Sequence, residues 1–345
     1  DVTSLVNTDD ATDTIAVTNG DILDLSITNI TTQTIDTPIA QALTASLADA
    51  SGSDDVLNIN LTSATADKAL SRTYEQISVS NVETINLNTS GLSANTVDFV
   101  ITTLTDGGTT DLNTLNITGS SSLDLSGTIT ASDLTTVNAS TFTGDLILDG
   151  VSENQTITGG SGADEFIFAA TLNNSDTVDG GAGTDKLSAT TTGLTSTTGA
   201  LSISNVETLN LTNAGTSVID ASSITGATEI AVLTNSTSTT ITGLAAGTKI
   251  GAGHNNTDGA VGGLFDISLA DATGTADALT FNLNDTAAGS YSLEVKATGI
   301  ETVTFDVTDD TDTSNADAVI DVDSLNASSI IVTGSTLDTG NTLSL

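Results

Sequence analysis

Gly159-Gly-Ser-Gly-Ala-Asp-Glu-Phe-Ile167 is repeated as Gly180-Gly-Ala-Gly-Thr-Asp-Lys-Leu-Ser188, so that one pattern, Gly-Gly-x-Gly-x-Asp-x-apolar-x, occurs twice. Glycine allows positive φ angles that turn backbone carbonyls inward, the Asp adds an anionic oxygen, and the apolar residue begins a strand. Oxygen ligands of this kind suit Ca²⁺. The pattern predicts two calcium-binding turns, and a glycine-rich turn without metal is the alternative. The predicted metal-site residues are Gly159, Gly160, Gly162, Asp164, Asp179, Gly180, Gly181, Gly183 and Asp185.

These two motifs resemble the nonapeptides of the RTX (repeats-in-toxin) family of secreted bacterial proteins. The resemblance implies a parallel β-roll in which two nonapeptides make one coil and turns one coil apart share calcium. Here the step from Gly159 to Gly180 is one such coil plus three residues. We therefore expect both motifs on the same side of adjacent coils, with Asn173-Asn174-Ser175 as an insertion. The family also implies type I secretion.

The composition is strongly acidic. The 345 residues include 44 Asp and Glu but only five Lys and Arg, giving a net charge of −39. Such a chain is repelled by nucleic acid and by anionic membrane surfaces, so we predict neither as a partner, and divalent cations are natural counter-ions. A halophilic surface is the other explanation for the charge. Because Cys is absent, packing, backbone ladders or metal must hold the fold.

Short alternating segments rich in Thr, Val, Ile and Leu follow one another, as in Val56-Leu-Asn-Ile-Asn-Leu61. Period-two alternation predicts strands, so the fold class is all-β. The RTX resemblance implies that these strands form a parallel β-solenoid, and a string of immunoglobulin-like sandwiches is the rival fold. One segment favours a helix: residues 39–50 place Ile39, Leu43 and Leu47 on one helical face after Pro38. A second helix is predicted over 64–76. The predicted organisation is an N-terminal β segment with a short helix at 1–50 and a solenoid at 51–345, together one elongated unit.

A longer repeat underlies the strands. Asn81-Val-Glu-Thr-Ile-Asn-Leu87 recurs as Asn205-Val-Glu-Thr-Leu-Asn-Leu211 and, loosened, as Gly299-Ile-Glu-Thr-Val-Thr-Phe305. In a solenoid the recurring Asn residues can stack as a hydrogen-bonded ladder. The recurring glutamates, Glu83, Glu207 and Glu301, suggest either an acidic functional row or a structural role, capping a strand or facing solvent in a repeated rung, and the copying of structural residues in repeats favours the structural role. Beside the nonapeptides, this repeat is similar to the β-solenoids of RTX-type S-layer proteins and large surface adhesins.

The chain offers no catalytic constellation. It has one His, no Cys, scattered basic residues, and no nucleophile-elbow, P-loop or dinucleotide motif. We predict that it is not an enzyme but an extracellular, calcium-stabilised structural protein, an S-layer subunit or part of one. Its expected partner is itself, in a lattice or filament, with a cell-surface polysaccharide as a further candidate. The alternatives are a calcium-dependent adhesin or biofilm-matrix module and, third, an RTX-linked polysaccharide lyase or epimerase.

Overall fold

The computed structural model describes residues 5–7, 13–17, 22–27, 42–47, 55–62, 72–74, 76–80, 82–90, 99–107, 112–149, 154–194, 199–212, 215–233, 238–254, 262–285, 291–309, 318–322, 325–334 and 343–344. Within these ranges every strand pairing is parallel, so the predicted parallel β-solenoid is confirmed. The chain divides into two compact units, the first of residues 1–168 and 177–185, the second of residues 169–176 and 186–345.

The described residues of unit 1 form eighteen short strands. In chain order they are β1 Leu5–Asn7, β2 Asp13–Val17, β3 Ile22–Ile27, β4 Ala42–Leu47, β5 Val56–Thr62, β6 Arg72–Tyr74, β7 Gln76–Ser80, β8 Thr84–Ser90, β9 Phe99–Ile101, β10 Thr103–Thr105, β11 Thr114–Gly119, β12 Leu123–Leu125, β13 Thr128–Thr130, β14 Thr136–Asn138, β15 Leu146–Asp149, β16 Thr156–Thr158, β17 Glu165–Ala169 and β18 Thr177–Asp179.

These strands form three sheets in unit 1. Sheet A has the order β1-β3-β5-β8-β11-β14-β16-β18, sheet B the order β2-β4-β7-β10-β13, and sheet C the order β6-β9-β12-β15-β17. Successive members of a sheet belong to successive coils, and strands on both sides of residue 50 pair, β3 with β5 and β4 with β7. The predicted domain boundary at residue 50 stays a prediction.

In the part of unit 2 that the structure describes, the elements are strands β19 to β33 and one short 3₁₀ helix at Thr191–Gly193. The strands are β19 Lys186–Thr190, β20 Ser202–Ser204, β21 Thr208–Thr212, β22 Ser217–Asp220, β23 Ile224–Thr225, β24 Glu229–Leu233, β25 Thr239–Leu244, β26 Lys249–His254, β27 Gly262–Leu269, β28 Ala278–Asp285, β29 Tyr291–Ala297, β30 Thr302–Asp309, β31 Ala318–Asp321, β32 Ser329–Gly334 and β33 Leu343–Ser344.

The described strands of unit 2 form two large sheets and one strand pair. Sheet D has the order β19-β21-β24-β26-β28-β30-β32, sheet E has the order β22-β25-β27-β29-β31-β33, and β20 pairs with β23. Sheet D ends at β32, where Ile330, Ile331 and Val332 are 40%, 43% and 45% exposed. Among the described residues, these three are the large apolar side chains that are exposed to solvent.

Each unit is filled by columns of apolar side chains. Alternation puts every second side chain inside, and parallel pairing in register stacks equivalent residues along the coils. In sheet A the paired residues Leu57, Ile85, Leu115, Val137, Ile157 and Val178 form one buried column. In unit 2 the rings of Phe281 and Phe305 stack with centroids 5.5 Å apart, and Phe265 meets Phe281 edge-on at 6.1 Å. The alternation in the sequence therefore corresponds to a continuous core.

The helix predicted at residues 39–50 is wrong. Residues Ala42–Leu47 are strand β4, which pairs with β2 on one side and β7 on the other. Leu43, Ala45 and Leu47 fit a period of two as well as Leu43 and Leu47 fit a helical face, and two neighbouring strands supply ladder partners that an isolated helix lacks. For the second predicted helix, 72–74 and 76 lie in strands, and residues 64–71 and 75 lie outside the described residues.

Candidate functional site

The two nonapeptide turns lie one above the other in unit 1. The strands that lead into them, β16 and β18, pair in register with Thr158 opposite Asp179. Gly159 N donates to Asp179 O at 2.7 Å, and Ala182 N donates to Gly160 O at 2.9 Å. The expectation that both motifs lie on the same side of adjacent coils is therefore confirmed.

The three extra residues of this coil also lie where they were expected. Ile147 of β15 pairs with Glu165, and Ile157 of β16 pairs with Val178, so the second step along the chain is longer than the first by three residues. The lengthening therefore falls between β17 and β18, in the connection that contains residues 173–175. Within that connection Ser175 N donates to Asn173 Oδ1 at 2.8 Å, which is a local side-chain to backbone turn.

Asp164 joins two coils through its carboxylate. Its Oδ2 accepts from Gly160 N of its own turn at 2.7 Å, and its Oδ1 accepts from Leu146 N of the preceding coil at 2.9 Å. Its own N–H donates to Asp185 Oδ1 in the following coil at 2.8 Å. Asp164 and Asp185 are each 1% exposed. The two acids of the motifs are thus brought together, and both bind backbone N–H groups.

A third acid, Asp145, lies near these two, and our reading of the sequence missed it. Its side chain is exposed, and its Oδ1 accepts from Ala163 N at 2.8 Å; by the register of β15 and β17 it is level with Ala163, one residue away from the position of Asp164. The signal in the sequence is weak, because Ser140, Thr141 and Thr143 stand at the three glycine positions of the motif. We call the buried pair Asp164 and Asp185 together with the exposed Asp145 the acidic column.

The glycines of the motifs are required by close packing between coils. At Gly183 the backbone has φ of 142°, and a Cβ would collide with the carbonyl oxygen of Gly162. A Cβ at Gly159 would collide with Gly180 O and would also meet Asp164 Oδ2. Clashes with a neighbouring coil's carbonyl recur at three more motif positions: Gly160, Gly162 and Gly181. Carbonyl and carboxylate oxygens therefore occupy the space that side chains would fill.

Asp179 plays a different part from the other acids. It is the last residue of β18, its carbonyl accepts from Gly159 N, and its Oδ1 accepts from Gly181 N at 3.2 Å. This side-chain bond to the backbone two residues later is an Asx-type turn. Asp179 therefore closes the second turn, and it lies on the outer, half-buried side of the strand.

The pKa of Asp164 is raised to about 6: burial is the largest cause, the N–H donors Gly160 and Leu146 oppose it, and the negative charges of Asp185 and Asp145 add to it. The balance shows that desolvation and like charge outweigh two backbone hydrogen bonds. A carboxylate in this position is a strained anion at neutral pH. A cation bound beside it would relieve that strain.

The donor chemistry of the turns suits calcium. Gly180 O and Asp164 Oδ2 lie against one side of Gly159, and the carbonyl oxygens of Gly159 and Gly160 lie against Gly181. All are hard oxygen donors of the type Ca²⁺ prefers. Within the residues described, however, no three His, Cys, Asp or Glu side chains are grouped to hold a metal ion. Any calcium here would therefore depend on backbone carbonyls, and it stays a prediction.

The recurring glutamates connect coils in the same manner as the acidic column. Glu83 Oε2 accepts from Asp55 N at 2.6 Å, and Asp55 O accepts in return from Glu83 N and Thr84 N at 3.1 and 3.0 Å. In unit 2, Asp277 N donates to Glu301 Oε2 at 2.9 Å, and Asp277 O accepts from Glu301 N and Thr302 N. For these two glutamates the capping prediction is confirmed.

No helix in the described ranges is long and apolar enough to cross a membrane. Comparisons of the chain with protein-family models, with curated proteins and with solved structures found no match.

Proposed function

We propose that this protein is a structural component of a bacterial cell surface, a self-assembling S-layer subunit or part of one, stabilised by calcium. The observation that supports this most is the use of acids between coils. In the acidic column and in the Asp–Glu pairs, the carboxylates accept backbone N–H groups of neighbouring coils. Such acids reinforce a scaffold, and the resemblance to RTX-type surface proteins supplies the cellular setting.

Calcium would act at the stacked turns. Asp164 and Asp185 would supply carboxylate oxygens, and the glycine carbonyls of the two motifs would supply the rest of the six to eight oxygens that Ca²⁺ takes. When bound, the ion supplies positive charge between coils that otherwise present only negative charge and carbonyl dipoles. Extracellular calcium near the millimolar range would saturate a site with Kd of about 10⁻⁴ M, whereas cytosolic calcium would not. The fold would therefore be completed outside the cell.

Assembly of the purified full chain tests this function. The protein is dialysed into buffer with calcium or with chelator and imaged by negative-stain electron microscopy. Ordered sheets or filaments that form only with calcium support the proposal, and sodium chloride at equal ionic strength is the control for screening. Protein that stays monomeric in calcium contradicts it. Assembly that proceeds equally well in high salt with chelator contradicts the calcium bridge.

The same preparation separates the alternatives. Monomers that bind a glycan array would favour an adhesin or matrix module, and turnover of uronate polymers would favour a polysaccharide lyase or epimerase. Immunogold labelling of intact cells tests the proposed extracellular location.

A further inference from the structure

The outer face of sheet A carries a regular array of uncharged polar side chains, which we call the Thr–Asn face. It covers strands β5, β8, β11, β14 and β16, where inner and outer positions alternate and equivalent residues pair in register. Its three columns are Thr84, Thr114, Thr136 and Thr156, headed by Val56; Asn58, Asn86, Asn116, Asn138 and Thr158; and Asn60, Asn88 and Thr118.

Hydrogen bonds along the columns hold these side chains in place. Asn86 Nδ2 donates to Asn58 Oδ1, and Asn116 Nδ2 donates to Asn86 Oδ1, both at 2.8 Å. In the third column Asn88 Nδ2 donates to Thr118 Oγ1 at 3.0 Å. The predicted asparagine ladder is thus confirmed. A surface whose side chains are already ordered loses little conformational entropy when it is covered.

The face is also uncharged, on a chain whose net charge is −39. None of its side chains ionises, and its columns reach carboxylates only at the two edges, at Asp179 of β18 beside Thr158 and at Asp24 of β3 beside Asn60. Two copies of so acidic a protein repel one another over most approaches. Contact through uncharged faces keeps this repulsion smaller than contact through any acidic surface.

We propose that the Thr–Asn face is a contact surface for the same face of a second copy of this chain. Parallel, in-register sheets with identical side chains in columns pack against one another by interdigitation, and Asn ladders strengthen such packing. A self-complementary face would form a two-fold contact, the commonest symmetry of homo-oligomers. This inference rests on the proposed function, since it names the surface through which the assembly would form.

The size of the face sets the strength of the contact. Five strands about 4.8 Å apart span about 19 Å, and two or three outward side chains per strand span about 15 Å, so the face covers about 300 Å². A stable interface buries about 800 Å² per partner. One such contact is therefore weak, and it becomes useful when calcium and repetition in a lattice add to it.

Paired charge substitutions test the surface. Thr136→Glu with Thr156→Glu places two acids on adjacent strands of the Thr–Asn face, where these residues pair. Thr103→Glu with Thr128→Glu is the matched control, because these paired threonines face outward on sheet B of the same unit. Far-UV circular dichroism checks folding. Should the first variant lose β signal, Thr156→Asp, at an exposed position, replaces it.

Sedimentation velocity over a concentration series in calcium measures association. We expect the Thr–Asn variant to weaken self-association at least tenfold and the control to stay within about twofold of the wild type. Equal weakening in both variants, or none in either, overturns the inference. Loss of polysaccharide binding with unchanged self-association assigns the face to a glycan and also overturns it. If the wild-type protein does not associate in calcium, both this inference and the proposed function fail. If the wild type associates and the Thr–Asn variant associates equally well, only this inference fails.

Discussion

Replacing Asp164 by Asn separates the two roles that its carboxylate can play. The side chain is buried, and each of its oxygens accepts a backbone N–H, from Leu146 and from Gly160. Asparagine keeps the shape but offers one acceptor oxygen, so its amide nitrogen would oppose one of these donors. Leaving a buried donor unsatisfied costs about 1–3 kcal/mol. Removing the charge works in the opposite direction.

The size of that opposing effect follows from the pKa. Because the folded-state pKa of Asp164 is raised from 3.8 to about 6, its stabilising contribution is fully present below pH 3.8 and is lost as pH rises through about 6. Lowering the pH from about 7.5 to about 4.5 in chelator should therefore raise the free energy of unfolding by at most about 2 kcal/mol through this group. Solvent near the exposed turn residues reduces that figure. The Asp164→Asn variant has no titrating group at this position and would lack the gain.

Calcium adds a second difference. At free calcium about ten times Kd, one site stabilises the folded state by about 1.4 kcal/mol. If Asp164 supplies a ligand oxygen, the wild type gains this amount on moving from chelator to calcium at neutral pH. The Asn variant should gain little, because a carboxylate has been removed from a site that otherwise depends mainly on carbonyls.

Urea unfolding followed by far-UV circular dichroism measures both terms. Wild type and Asp164→Asn are compared with and without calcium at the two pH values. Asp124→Asn is the control, since Asp124 accepts one exposed backbone bond, from Ser126 N at 2.7 Å, which Asn can also accept. Equal pH slopes in all three proteins would refute the argument from burial and like charge. An undiminished calcium gain in the Asp164 variant would place the ion elsewhere or show that the acid serves the turn alone.

Three further predictions concern the links between coils and the core. Glu83→Ala should lower the free energy of unfolding by about 1–3 kcal/mol in a urea titration, because Asp55 N loses its acceptor. Glu83→Gln keeps one acceptor oxygen and should lower it less. Equal losses in the two variants would mean that the charge itself matters. Gly183→Ala should lower the melting temperature, measured by calorimetry, more than Gly247→Ala does. Both glycines have a positive φ, but only a Cβ at position 183 would meet a carbonyl oxygen of a neighbouring coil. Similar shifts for the two variants would show that neighbouring coils can move apart to make room for the added Cβ. Phe281→Ala should lower the free energy of unfolding in urea by about 3–5 kcal/mol, since the ring packs between Phe265 and Phe305. Phe281→Leu should lower it markedly less. A small loss for the Ala variant would mean that the core collapses to fill the cavity.

Local patterns in the sequence predicted the features that repeat from coil to coil. The two complete nonapeptides predicted that their turns stack, because the spacing between them equals one coil length plus a short insertion. The register in which β16 and β18 pair agrees with this spacing. The asparagine ladder followed from recurrence at one strand position. Parallel pairing in register converts any residue that recurs along the chain into a column, so repeats are predictable without knowledge of the coil shape.

Features that depend on a neighbour were less predictable. Residues 42–47 satisfy both a helical and an alternating pattern, and only the presence of β2 and β7 on either side decides for the strand. Asp145 escaped notice because its turn has none of the three motif glycines, and its contact with Ala163 N is made one coil later. Long-range ladder partners override local propensity, and no single window of sequence contains them.

The turns also give a physical reason for many buried acids in a chain with few bases. Where a coil leaves or enters a strand, N–H donors such as those of Gly160, Leu146 and Ala163 are bound by side chains and not by the backbone ladder, and an unsatisfied buried N–H is costly. A short Asp at the start of the next strand reaches these donors, and Glu83 reaches one from further away. Repeating this solution along the coils places carboxylates near one another, and the raised pKa of Asp164 records the resulting repulsion. Each carboxylate oxygen that accepts one N–H keeps a second lone pair, so a cation could relieve the repulsion without breaking the links that hold the coils together.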